Sequence, residues 1–162
     1  MSMDFAEQMT VDGAVYSIDT FPLEPYRKSL PSLPRFRGWP GCSNGYRATW
    51  AIQEHDPDRV LCLTDLRPDT QAVLAALSLP AALPLAATWF SGIVRGSRGE
   101  RRRTGYPPRE IHPDEIYVEI AAGKVVREWL LDLRAVPGQA EEEWRQSVPA
   151  FLWKFYPQPA PG

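Results

Sequence analysis

Residues 45–66 read GYRATWAIQEHDPDRVLCLTDL, and this stretch decides the fold. Tyr46, Ala48, Trp50 and Ile52 are apolar at every second position, with Arg47, Thr49 and Gln53 between them. A period of two puts the first set on one face of a strand and the second on the other, so the segment predicts a half-buried β-strand. His55 to Asp58 supply a turn. The returning run, Arg59 to Leu66, is more uniformly apolar, as a central strand covered on both sides requires. Trp50 belongs to the core on this reading, not to a ligand site.

The same logic extends outward in both directions. Residues 9–19, MTVDGAVYSID, form a hairpin in which Asp12 and Gly13 provide the positive φ angles of a tight two-residue turn. Residues 85–95, LAATWFSGIVR, are β-like, with Gly92 marking a bulge or a close backbone approach. Glu115 to Leu133 make a longer hairpin: Ile116, Val118 and Ile120 alternate, Ala122 and Gly123 turn, and Val125 to Leu133 return. Between Phe21 and Gly45, Pro22, Pro25, Pro31, Pro34 and Pro40 predict an extended surface segment pinned by Phe21, Leu23 and Tyr26. Residues 70–79, TQAVLAALSL, suit a short helix capped by Asp69 or Thr70 and ended by Pro80. A second helix is expected over Gln139 to Ser147, its acidic first turn complementing the helix dipole and Trp144, Val148, Phe151, Leu152 and Phe155 packing it down. The fold class is therefore mainly β (α+β): a single compact domain, residues 1–156, of antiparallel strands and hairpins with a short middle helix and a C-terminal helix. Residues 157–162 form a frayed proline-rich tail.

Composition narrows the function. The 162 residues are 44% hydrophobic and include six Trp, enough apolar surface for a core without metal or disulfide. No apolar run approaches the roughly 18 residues of a membrane span, and the N-terminus lacks a secretory pattern, so a cytoplasmic location without membrane contact is expected. Cys42 and Cys62 are expected as free thiols. His55 and His112 have no second ligand three or four residues away, and no CxxC, GxSxG or phosphate-loop pattern occurs. Asp65, Glu119 and Asp132 are read as structural acids. The expectation is a non-enzyme with no catalytic residue, metal or cofactor.

The sharpest feature is charge. Arg95, Arg98, Arg101, Arg102, Arg103 and Arg109 face only Glu100 between residues 95 and 109, within a chain of net charge −2. Arginines in this density suit bidentate contacts with carboxylates or phosphates. Direct nucleic-acid binding is disfavoured, because Tyr106 is the sole aromatic nearby and the other residues sum to an acidic body. A solvated hairpin tip guarding against aggregation explains the same charges. Two partner-binding patches are expected: the arginines Arg95, Arg98, Arg101, Arg102 and Arg103 with Tyr106, and an acidic face of Asp114, Glu115, Glu141, Glu142 and Glu143.

TFPLEPY (20–26), GYRATWAI (45–52), LCLTDL (61–66), WFSGIVR (89–95) and Gly105-Tyr106 followed by IYVEIAAGKVV (116–126) together resemble a group of small bacterial cytoplasmic proteins without an assigned activity. The resemblance covers roughly residues 11–130 and implies a compact β-rich fold; it carries no catalytic residue. The basic, proline-rich Arg101 to Pro108 stretch and the segment after Arg134 depart from it. A small domain of this kind suggests an immunity protein that neutralises a cognate bacterial toxin, the acidic face being suited to a toxin acting on nucleic acid or nucleotides. The alternative is a β-domain binding an anionic small molecule or nucleotide, with the Arg segment holding the anion and Trp50 or Trp89 lining the pocket.

Overall fold

The protein was analysed as a computed structural model, which describes residues 6–38, 42, 44–104, 109–134 and 149–155. The 45–66 stretch folds as read: β3 (Arg47–His55) turns at Asp56-Pro57 into β4 (Asp58–Arg67), antiparallel, with one register shift between Thr49 and Trp50. Tyr46, Ala48, Trp50 and Ile52 are all buried, as are Val60, Leu61, Cys62 and Leu63 in a row. On the N-terminal side, β1 (Glu7–Val11) and β2 (Ala14–Ile18) form the expected hairpin, with Asp12 at φ +50° and Gly13 at +82°. Further along lie β5 (Leu85–Ala86), β6 (Gly92–Arg98), β7 (Arg102–Thr104), β8 (Arg109–Ile111), β9 (Asp114–Ala121) and β10 (Lys124–Asp132). Ala122 at +48° and Gly123 at +84° turn β9 into β10.

The strands join in the order β10-β9-β6-β2-β1-β3-β4-β5, and β10 pairs back onto β4 at Lys124 and Val60. Seven strands therefore close into a barrel, with β5 as an extra strand on β4. Closure with an odd number of strands has a geometric consequence. Each antiparallel neighbour reverses direction, so a seven-membered ring needs at least one parallel pair. β1 and β3 supply it, pairing parallel at Met9 and Trp50. The mainly β class holds, and this parallel pair qualifies the expectation of antiparallel strands.

Two helices were resolved by different signals. In α2 (Thr70–Ala76) the Asp69 side chain accepts from the Ala72 amide at 3.1 Å, the capping geometry read from the sequence, while Val73 and Leu74 face inward. α1 (Glu24–Ser29) replaces part of the extended 21–45 segment. Proline is tolerated in a first helical turn, where its missing N–H has no partner to lose, so Pro25 does not forbid it. Leu23 is fully buried, and the Tyr26 hydroxyl donates to the Leu77 carbonyl at 2.9 Å, so those two residues do pin the segment. Gly92 does not mark a close backbone approach: it opens β6 at φ +151°, and an added Cβ would meet only the Phe90 ring at 3.5 Å.

Contacts divide the chain into two compact units. The first, Met1–Gly96 with Tyr117–Glu128, holds the barrel and the core around Met9, Trp50, Leu61, Leu63 and Tyr117. The second, Ser97–Ile116 with Trp129–Gly162, has its own buried residues, Ile111, Ile116, Leu133 and Leu152. It also contains a 3-10 helix at Ala150–Phe155, where Phe151 packs on Trp129 with ring centroids 4.5 Å apart. The helix expected at 139–147 and the tail at 157–162 lie outside the described residues.

Candidate functional site

The charged segment folds around a glycine. Gly99 stands at φ +91°, and a Cβ there would lie 2.9 Å from the Pro113 ring, so both the turn and the packing require glycine. Beyond it β7 and β8 form a two-stranded sheet of their own, with Arg102 opposite Ile111, Arg103 opposite Glu110 and Thr104 opposite Arg109. Arg101 pairs with Glu110 at 3.3 Å while remaining about half exposed, and Arg98 is exposed. Arg95 does not join this group. It belongs to the barrel unit, half-buried, and turns to Asp19 at 3.9 Å. Tyr106 lies outside the described residues.

The acidic face comes out differently from its sequence reading. Glu115 is not on a surface: it is fully buried and accepts the His112 backbone N–H at 3.1 Å. β9 is covered on both faces from Glu115 to Val118, so alternation does not expose it. Asp114 is gripped by Arg134 through two 2.8 Å hydrogen bonds, and Arg134 also donates to Asp132 at 3.0 Å. These hydrogen bonds hold both aspartates below the usual carboxylate range, the Arg134 side chain being the main cause at Asp114 and its backbone N–H at Asp132. Glu141, Glu142 and Glu143 lie outside the described residues. A cleft of about 460 Å³ opens between Glu100, Arg101, Pro113 and Arg134. It presents two guanidinium groups and a carboxylate on one surface, chemistry that suits exchange of ion pairs with a partner.

A second polar cluster, inside the barrel unit, escaped the sequence reading. Glu7 is 1% exposed; its carboxylate accepts the Ala48 amide at 2.9 Å and the Trp50 indole N–H at 3.0 Å. Burial pushes its pKa up to about 7 against the lowering effect of those two donors. Nearby, the Tyr46 hydroxyl donates to Glu24 at 2.7 Å, and Arg27 forks onto the same carboxylate through Nε and a terminal nitrogen. Burial would raise Glu24, but the donors Arg27 and Tyr46 outweigh it and the group is lowered. Parity could have exposed Glu7, since it shares the inward face of β1 with Met9 and Val11.

The remaining reactive side chains are committed elsewhere. Cys42 and Cys62 are buried and neither is in a disulfide; burial raises the Cys62 thiol, which lies 3.9 Å from His55 Nε2. Trp50 has no exposed surface, and the Trp89 indole donates to the Pro22 carbonyl at 2.8 Å while its ring leans on Tyr26. No group of three metal-ligating side chains occurs among the described residues, and no described helix is long and apolar enough to cross a membrane. Comparison with models of known families, with curated proteins and with solved structures returned no match.

Proposed function

We propose that the chain is a non-catalytic, cytoplasmic binding protein of the immunity type, one that neutralises a toxin encoded beside it, and that the β7–β8 arm with the adjoining Arg98–Arg101 turn is its docking surface. The observation that carries this reading is the concentration of arginine on a small separate sheet, held by a glycine turn that no other residue fits. Arginine is favoured in interfaces because its planar fork makes directional contacts and is weakly hydrated. The barrel core is occupied by large side chains, so function is assigned to the surface.

Burial of Glu115 and the engagement of Asp114 by Arg134 shift the weight from the acidic face to the arginines. The partner then presents carboxylates, and the internal pairs Arg101–Glu110 and Arg134–Asp114 are poised to exchange with them. Mixing the purified chain with the product of the adjacent gene tests it. A stoichiometric complex that abolishes that product's activity is expected; absence of a complex overturns the proposal.

A further inference from the structure

We infer that the cleft beside α1, in the barrel unit, is a binding site for a small organic oxyanion: a carboxylate or phosphate monoester carried on a compact aromatic or aliphatic group. The cleft, about 320 Å³, is lined by Arg27, Leu33, Arg35, Phe36 and Asn44. Its size is at the lower end of small-ligand sites, which run from about 300 to 1,000 Å³. It combines two guanidinium groups, one side-chain amide and two apolar walls, the mixture such a ligand needs.

Arg27 is fixed before any ligand arrives. Its Nε and one terminal nitrogen donate to Glu24, and the other terminal nitrogen donates to the Pro34 carbonyl at 2.8 Å. One N–H on each terminal nitrogen is left over, in a side chain only 14% exposed. Glu24 cancels the charge of Arg27, so the positive excess comes from Arg35, with Lys28 on α1 and Arg37 in the loop adding to it. Neither Arg35 nor Arg37 makes an ion pair among the described residues.

The loop that carries Arg35 is also fixed. Phe36 packs so closely on Gly45 that a Cβ at that glycine would lie 2.5 Å from the Phe36 Cβ, and the Phe36 ring meets Tyr46 edge-on at 5.8 Å. Tyr46 in turn bonds Glu24, which holds Arg27. The two arginine-bearing walls are thus tied to one another through Tyr46, the residue before β3. Arg27 is preorganised and loses little freedom on binding, while the exposed Arg35 side chain reaches the ligand from a loop anchored by Phe36.

Isothermal titration calorimetry of the intact chain with phenyl phosphate, benzoate and inorganic phosphate tests the assignment without any toxin, so it fails or succeeds independently of the proposed function. Saturable binding of phenyl phosphate or benzoate is expected, at least several-fold tighter than inorganic phosphate because Leu33 and Phe36 cover the organic group. Arg35→Gln should weaken it at least tenfold; Arg67→Gln, an exposed arginine paired with Asp65 elsewhere on the barrel, should not. Thermal unfolding of Arg35→Gln should match the parent, which separates lost binding from lost fold. No saturable binding of either organic probe, or binding that Arg35→Gln leaves intact, would overturn the inference.

Discussion

Glu7 places a carboxyl group where water does not reach, and the two donors that meet it do not offset the cost of ionising it there. Its pKa of about 7, against an ordinary 4.5, means that the folded chain binds this proton more tightly than the unfolded chain does. The linkage sign follows: the contribution is fully present below pH 4.5 and is lost as pH rises through 7. The difference corresponds to about 3 kcal/mol. Denaturant unfolding at pH 5 and pH 8 should show the parent less stable at pH 8 by an amount of that order, and Glu7→Gln should flatten this part of the profile. An unchanged slope in the variant would show that another group titrates. Trp50, which donates to Glu7, is the largest fully buried side chain among the described residues. Trp50→Ala should cost roughly 3 to 5 kcal/mol, the usual range for deleting a buried aromatic, and it removes one of the two donors to Glu7. A variant as stable as the parent would place Trp50 at a surface instead. Of these two residues Trp50 was legible, because its neighbours alternate. Glu7 was passed over because a charged residue at a strand start normally faces water.

At the scale of elements, turns and the capped helix α2 were the most readable features and α1 the least. Asp12-Gly13 and Ala122-Gly123 both adopt the paired positive φ angles that a two-residue hairpin demands. Their surroundings differ. Nothing lies within 4 Å of a Cβ added at Gly13, whereas one at Gly123 would stand 2.9 Å from the Ala87 carbonyl oxygen. Gly13→Ala should therefore cost only the left-handed backbone penalty, about 1 to 2 kcal/mol. Gly123→Ala should cost clearly more, because Ala87 and Thr88 have to move. Equal losses in chemical denaturation would contradict this account of the β9–β10 turn. α1 went unread for a physical reason: six residues give too short a window for a helical period, and five prolines in the surrounding segment argue for extension. What stabilises it is tertiary, namely the burial of Leu23, the Tyr26 to Leu77 hydrogen bond and the Glu24–Arg27 fork. The cleft beside α1 was invisible for the same reason.

For the whole molecule, local alternation specified the strands but not the ring they close. The β1–β3 parallel pair and the Lys124–Val60 closure join residues far apart in sequence, and pairing over such distances leaves no periodic trace. Charge behaved likewise. The sequence showed an arginine block; the fold supplied Glu110 to Arg101, Asp19 to Arg95, and Arg134 to Asp114, and it removed Glu115 from the surface. Arg98 and Arg101 thus remain the exposed described cations of the proposed docking arm. Because exposed charges act mainly on encounter, their reversal should slow association far more than it speeds dissociation. The most direct measurement is the association rate of the chain with the neighbouring gene's product, parent against the double reversal Arg98→Glu and Arg101→Glu, at about 0.05 and 0.5 M salt, concentrations that bracket a Debye length of roughly 10 Å. The account predicts at least a tenfold slower association for the variant at low salt, a gap that closes at high salt, and unchanged unfolding. Equal association rates at both salt concentrations would contradict it.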